Sequence, residues 1–164
     1  MNGDFEIGPA HTSHDLAAVC QLFRDYAASL DVDLQYQNFS AELASIPGPY
    51  GPPEGELLLA RSLGGAALGC VAMRSLGHGR CEVKRLYVSP VGRGLGLGRA
   101  LVRRMVEAAE RKGYSEIVLD TLSSMAPAQA LYRSEGFAQI EPYYDTPIAG
   151  TLFMGLSLKP GGLL

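Results

Sequence analysis

Between the apolar run ending at Val88 and the amphipathic stretch reaching about Lys112 lies Val91-Gly-Arg-Gly-Leu-Gly-Leu-Gly98, followed by Arg99. A strand, a glycine-rich turn and a helix together make an anion site. The first helical amides are unpaired, and the helix dipole places partial positive charge at that end. Glycine permits close backbone approach, while Arg93 and Arg99 bring charge. The dinucleotide pattern GxGxxG fails: from Gly94 its third glycine falls on Arg99, and from Gly96 on Leu101. The mononucleotide loop fails as well, because no Gly-Lys-Ser or Gly-Lys-Thr closes it. What remains is Arg93-x-x-Gly96-x-Gly98. The histidines His11, His14 and His78 have no ligand spacing and Cys20, Cys70 and Cys81 are dispersed, so no metal is expected and each histidine reads as a surface residue. Cys81 neighbours Glu82, which raises a thiol pKa, and strand alternation turns it to the opposite face, so it reads as core rather than nucleophile.

The elements that must hold these residues follow from periodicity. Phe5 and Ile7 give a short strand ending at Pro9. After Thr12 or Ser13 as cap, Leu16, Val19, Cys20, Phe23, Tyr26, Ala27 and Leu30 form one stripe of a helix from Asp15 to about Leu30, and a shorter helix spans Ser40–Ser45. Pro47–Gly55 excludes helix and central strand, and reads either as a connector or as a lid over a cleft. Glu56–Arg61 and Ala67–Arg74 make a hairpin about Gly64-Gly65, and Gly77-His-Gly79 leads into a third strand, Cys81–Val88. The helix to Lys112 then reaches a buried strand, Glu116–Thr121, parallel to its predecessor. A second crossover helix, Met125–Glu135, precedes closing strands at Phe137–Ile140 and Thr151–Leu158. The order is β-α-α-β-β-β-α-β-α-β-β, one α/β domain over residues 1–164.

Composition limits the function. The 14 Lys+Arg against 17 Asp+Glu leave a formal charge of −3, so no overall basic field draws the chain to nucleic acid or anionic lipid. Three cysteines do not make a secreted disulfide framework, and neither a basic, apolar leader at Met1–Ile7 nor a run of ~20 apolar residues is found. A cytoplasmic protein without nucleic-acid or membrane partners is the expectation.

The strand Glu82–Val88, the turn Arg93–Gly98, the strand Ile117–Asp120 and then Ala128-Gln-Ala-Leu-Tyr132-Arg-Ser-Glu-Gly-Phe137 together resemble the GCN5-related N-acetyltransferase (GNAT) superfamily. The similarity is specific over about residues 80–140 and extends to the first half in element order. It implies a mixed central sheet of six to seven strands, flanked by helices on both faces, in which the strand before the turn splays from its parallel neighbour. It implies acetyl-CoA as cosubstrate, without metal. The amides of Arg93, Gly94, Leu95, Gly96, Leu97, Gly98 and Arg99 would cradle the pyrophosphate, and Leu86, Tyr87 and Val88 would pair with the pantetheine arm. Tyr132 would protonate the departing sulfur, with a core tyrosine as the other reading. Glu82 lies where histone-acetylating members carry a catalytic glutamate, but Lys84, on the same strand face, offers it an ion pair instead; ordered water is the other route for the proton. The asparagine that commonly precedes the Leu-Tyr helix is replaced by Met125, leaving Ser123 or Ser124 to substitute, with Ala128 beside the cofactor. Tyr36, Tyr50, Tyr143 and Tyr144 would border the acceptor, and Arg85 would meet an acceptor carboxylate or an adjacent Asp. The function implied is transfer of acetyl to a primary amine in a ternary complex, small or amino-acid-like. A protein-amine acceptor, a non-catalytic acyl-CoA-binding domain, and a homodimer formed through the C-terminal strands are the other expectations.

Overall fold

The structure, a computed structural model, describes residues 4–159, so part of the amino-terminal segment read above for a leader lies outside the described residues. Seven strands form one open mixed sheet. Strands β1 (Phe5–Pro9), β2 (Glu56–Ser62), β3 (Ala67–Gly77) and β4 (Arg80–Val88) are antiparallel neighbours. The β2–β3 turn needs positive φ at Gly65 alone, 97°, whereas Gly77, His78 and Gly79 all adopt it between β3 and β4. Helix α3 (Leu97–Arg111) carries the chain to β5 (Glu116–Thr121), which lies parallel to β4. Helix α4 (Ala126–Ser134) then leads not to a neighbour of β5 but to a two-residue edge strand, β6 (Ala138–Gln139). The last strand, β7 (Leu152–Ser157), inserts antiparallel between β5 and β6.

Each sheet face buries its own helices. Helix α1 (Ser13–Ser29) starts where Thr12 Oγ1 accepts the Asp15 amide at 3.0 Å, and buries Val19, Leu22 and Phe23. A turn of 3-10 helix at Leu34–Gln37, absent from the periodicity, precedes α2 (Phe39–Ser45). These pack with Leu57, Leu59, Cys70 and Ala72. On the other face the α3 stripe, Leu97, Leu101, Met105 and Ala108, packs on Leu58, Val71, Met73, Cys81 and Ile117. Burying each of the larger of these side chains is worth about 1.5–3 kcal/mol, enough to fix α3 on the sheet. Cys81 is core, and burial pushes its thiol up to about 12.

The Pro47–Gly55 segment is packed onto the body of the protein and borders a large cavity through Pro49 and Tyr50. Tyr50 is buried edge-on against Phe23, Lys112 Nζ donates to the Pro53 carbonyl at 2.9 Å, and the Tyr114 hydroxyl to that of Glu54 at 2.7 Å. A Cβ at Gly55 would stand 2.4 Å from the Pro49 carbonyl oxygen, so the segment closes on itself through that glycine.

Two irregularities position the site. Strand β4 pairs with β5 only from Arg80↔Glu116 to Glu82↔Val118, after which β5 pairs with β7 alone and the two strands part. Opposite β3 the register slips between Cys70↔Tyr87 and Ala72↔Lys84, a bulge at Arg85, whose φ is 62°. Alternation therefore changes phase at this point. Arg85 turns to the α2 face, although two-residue spacing from Cys81 and Val83 would have sent it to the α3 core. Among the described residues no helix is long and apolar enough to cross a membrane.

Candidate active site

Where β4 and β5 separate, a narrow gap of about 40 Å³ runs through the sheet, walled by Leu86 on one strand, Asp120 and Thr121 on the other, with Tyr26, Met125 and Tyr132 closing it. Tyr132 projects from α4 and is nearly buried against Phe137, so burial raises its phenol above the ordinary tyrosine range. It stays protonated and can donate a proton within the gap. Met125 does line the gap, but Ser123 and Ser124 are exposed and do not, and Ala128 packs against the α3-side core. The polar group that this wall does offer is the buried Thr121 hydroxyl, which has no hydrogen-bond partner among the described residues. Of the strand residues expected along the pantetheine arm, Leu86 faces the gap while Tyr87 packs edge-on against Tyr26 on the α1 side.

Beside the gap opens a larger cavity of about 690 Å³, sharing Tyr36, Gln37 and Lys84 with it and lined further by Tyr50, Tyr143 and Tyr144. Glu82 is part of its wall, 1% exposed, and its ion-pair partner is not the expected Lys84. Its Oε1 accepts from Arg74 Nε at 2.8 Å and its Oε2 from the Tyr143 hydroxyl at 2.6 Å, while Lys84 Nζ turns to Gln37 Oε1 at 3.2 Å. The reason is strand geometry: Arg74 sits directly across the β3–β4 ladder from Glu82, closer than a same-strand residue two positions on. Arg85 likewise pairs with no adjacent Asp. It makes a two-pronged pair with Glu42 of α2, 2.9 and 2.7 Å, over the Phe39 ring. Tyr144 donates to Asp120, so the 143–144 tyrosines reach one of the parted strands each.

The glycine turn lies at the carboxyl end of β4. No amide from Gly94 to Arg99 has an acceptor among the described residues, the first turn of α3 being bonded only from Ala100 onward. Gly94 and Gly96 have φ of 85° and 74°, a conformation in which any other residue is strained, with open space where a side chain would stand. Successive free N–H groups in alternating conformations make an anion nest at a helix start. Gly98 has a different cause: its missing Cβ would lie 3.3 Å from Leu131, so it is there for the α3–α4 approach. The arginines divide too. Arg93 is exposed and touches only the Val88 carbonyl, at 3.2 Å, but the Arg99 guanidinium is committed to Glu135 and Ser134, which leaves its backbone amide rather than its charge for an anion.

Arg74, Asp120, Thr121 and Gln37 belong to this site and were not singled out from sequence. Arg74 was within reach, since counting back across the Gly77–Gly79 turn pairs it with Glu82. For Gln37 no comparable signal exists, because the turn that carries it has no periodicity. No group of three or more His, Cys, Asp or Glu that could hold a metal lies among the described residues.

The sequence model described as the Acetyltransferase (GNAT) family matches residues 16–137. A protein of Schizosaccharomyces pombe called an uncharacterized N-acetyltransferase is 44% identical over 157 residues, covering 95% of this chain and 96% of that one. Among solved structures, a GNAT-family acetyltransferase of Staphylococcus aureus Mu50 superposes with a TM-score of 0.79 at 18% identity, covering 94% of this chain and 99% of its own. A phosphinothricin acetyltransferase of Sinorhizobium meliloti, solved in complex with acetyl-CoA, gives 0.73 at 18% identity over 99% and 91%.

Proposed function

The chain belongs to the Acetyltransferase (GNAT) family, and from that premise we propose that it transfers the acetyl group of acetyl-CoA to the nitrogen of a small primary amine within one ternary complex. One observation carries this reading: a nest of unpaired amides, Gly94 to Arg99, stands at the end of a strand that parts from its neighbour beside a buried tyrosine. The donors fit a pyrophosphate, and Arg93 adds a movable charge. Leu86 and Val88 would flank the pantetheine arm. Bound there, acetyl-CoA supplies an activated thioester to the gap.

The chain's own groups then divide the work. Tyr132, kept protonated by burial, gives its proton to the departing sulfur. Glu82, on the wall of the larger cavity, takes the amine's proton directly or through ordered water, held in place by Arg74 and Tyr143. The packed Pro47–Gly55 segment and the tyrosines bound the larger cavity, which supports a small acceptor over an extended protein segment.

A thiol-release assay with acetyl-CoA and a panel of amines tests the proposal. Turnover is expected, lowered about a hundredfold or more in Tyr132→Phe. A Tyr132→Phe enzyme with full turnover would remove the acid, and CoA binding without turnover of any amine would remove the transferase.

A further inference from the structure

Charges along the two cavities are nearly all spoken for. Arg74 pairs with Glu82 at 2.8 Å, Arg80 with Glu116 at 3.0 Å, and Arg85 with Glu42 at 2.7 Å. Two groups are left over. Lys84 Nζ touches only a neutral amide oxygen, that of Gln37, and Asp120 accepts only from a neutral phenol, that of Tyr144. Among the described residues neither has an oppositely charged partner within ion-pair distance. They stand on opposite walls of the same gap, Lys84 on β4 and Asp120 on β5, both past the last paired residues Glu82 and Val118. The gap is also where Tyr132 lies.

We propose that the acceptor is an amino acid with a free α-carboxylate, its carboxylate bound by Lys84 and its amino group hydrogen-bonded to Asp120. This rests on the acetyltransferase reading above and names the acceptor class that the reading leaves open.

The physical case is one of compensation. Taking a lone charge out of water is costly, so charges in such places are paired. Here the strand splay holds a cation and an anion apart. Burial first, with the nearby Arg85 charge behind it, pulls the Lys84 ammonium below the ordinary lysine range, while Glu82, Asp120 and Glu42 oppose that only at a distance. An α-amino acid carries a negative and a positive group two bonds apart, so one small molecule placed between the strands satisfies both walls. Its nitrogen is then delivered to the gap that Tyr132 closes. A simple amine leaves Lys84 without an anion. A protein lysine does the same, since its ε-amine has no carboxylate nearby. Lys84 also lines the larger cavity, which leaves room for the amino acid's side chain among Tyr36, Tyr143 and Tyr144.

The test compares each of the standard amino acids with its own α-carboxamide in the thiol-release assay on the full chain. The best amino acid is expected to exceed its amide by at least about tenfold in kcat/KM, since a site built to bond a group discriminates against the analogue lacking it. Lys84→Gln should collapse that ratio toward one, Lys84→Arg should keep most of it, and Asp120→Asn should raise KM for the amino acid. Acetyl-CoA binding measured on each variant shows that it is folded. Equal use of acid and amide, a ratio undisturbed in Lys84→Gln, or turnover of simple amines or a lysine peptide but of no amino acid would each overturn the proposal. Failure of the wild type to bind acetyl-CoA would instead overturn the acetyltransferase reading itself.

Discussion

Tyr132 and Glu82 are both placed by strong local forces, and each force makes a prediction. Burial raises the Tyr132 phenol, so its acid form persists to higher pH than that of a free tyrosine. A pH profile of kcat should therefore show no descending limb from this group below about pH 10, the ordinary tyrosine value. A limb near pH 8 that vanished in Tyr132→Phe would contradict the assignment. Glu82→Gln weakens a charge-assisted bond from Arg74 and the bond from Tyr143. Arg74 is 41% exposed, which lowers the expected cost to about 1–2 kcal/mol, a Tm lower by a few degrees in calorimetry. Both residues were legible in the sequence, but their surroundings were only partly so. Same-strand spacing pointed Glu82 at Lys84, and the cross-strand register that gives it Arg74 depends on the whole β3–β4 hairpin.

At the scale of elements, the site is made by a bulge, a splay and a turn. The turn could be read because glycine at alternating positions has few other causes; the bulge could not, because Val83–Val88 looks like an uninterrupted strand. Arg85 holds φ at 62° there, a strain of order 1–3 kcal/mol that the Glu42 pair must offset. Arg85 and Glu42 side chains are 3% and 11% exposed. Removing one partner of such a buried pair costs about 3–5 kcal/mol, so Glu42→Ala should lower Tm by roughly 10 °C. A Tm unchanged in Glu42→Ala would show that the bulge stands without it. The glycines separate by mechanism. Gly96→Ala strains a left-handed position at the nest and should weaken CoA binding by about tenfold, the equivalent of roughly 1.4 kcal/mol. Gly98→Ala presses on Leu131 and should appear in Tm first.

For the whole molecule, the alternation of strands and helices was enough to read one α/β domain with β5 parallel to β4, while the mixed sheet covered by helices on both faces followed from the GNAT resemblance. The insertion of β7 between β5 and β6 was not visible, since it depends on which edge the last strand finds, and no local residue encodes that. Two ion-paired carboxylates that tie distant segments set the acid side of the molecule's stability. Asp15 is held below the ordinary carboxylate range chiefly by Arg61, and Glu135 chiefly by Arg103 with Arg99 behind it. A depressed carboxylate stabilises fully above its unfolded value of about 4 and loses that contribution as pH falls through the lower folded value. Stability should therefore be flat for these groups above about pH 5 and fall below about pH 4, and Asp15→Asn should flatten part of that fall in acid titrations followed by circular dichroism.

The most direct test of acetyl-CoA binding at the glycine turn is calorimetric titration of acetyl-CoA into the wild type and into a Gly94→Ala, Gly96→Ala double variant. Saturable binding by the wild type, weakened at least about tenfold in a variant that keeps the wild-type circular dichroism, is the expected result. Equal affinity in the two proteins, or no binding by the wild type, would contradict it.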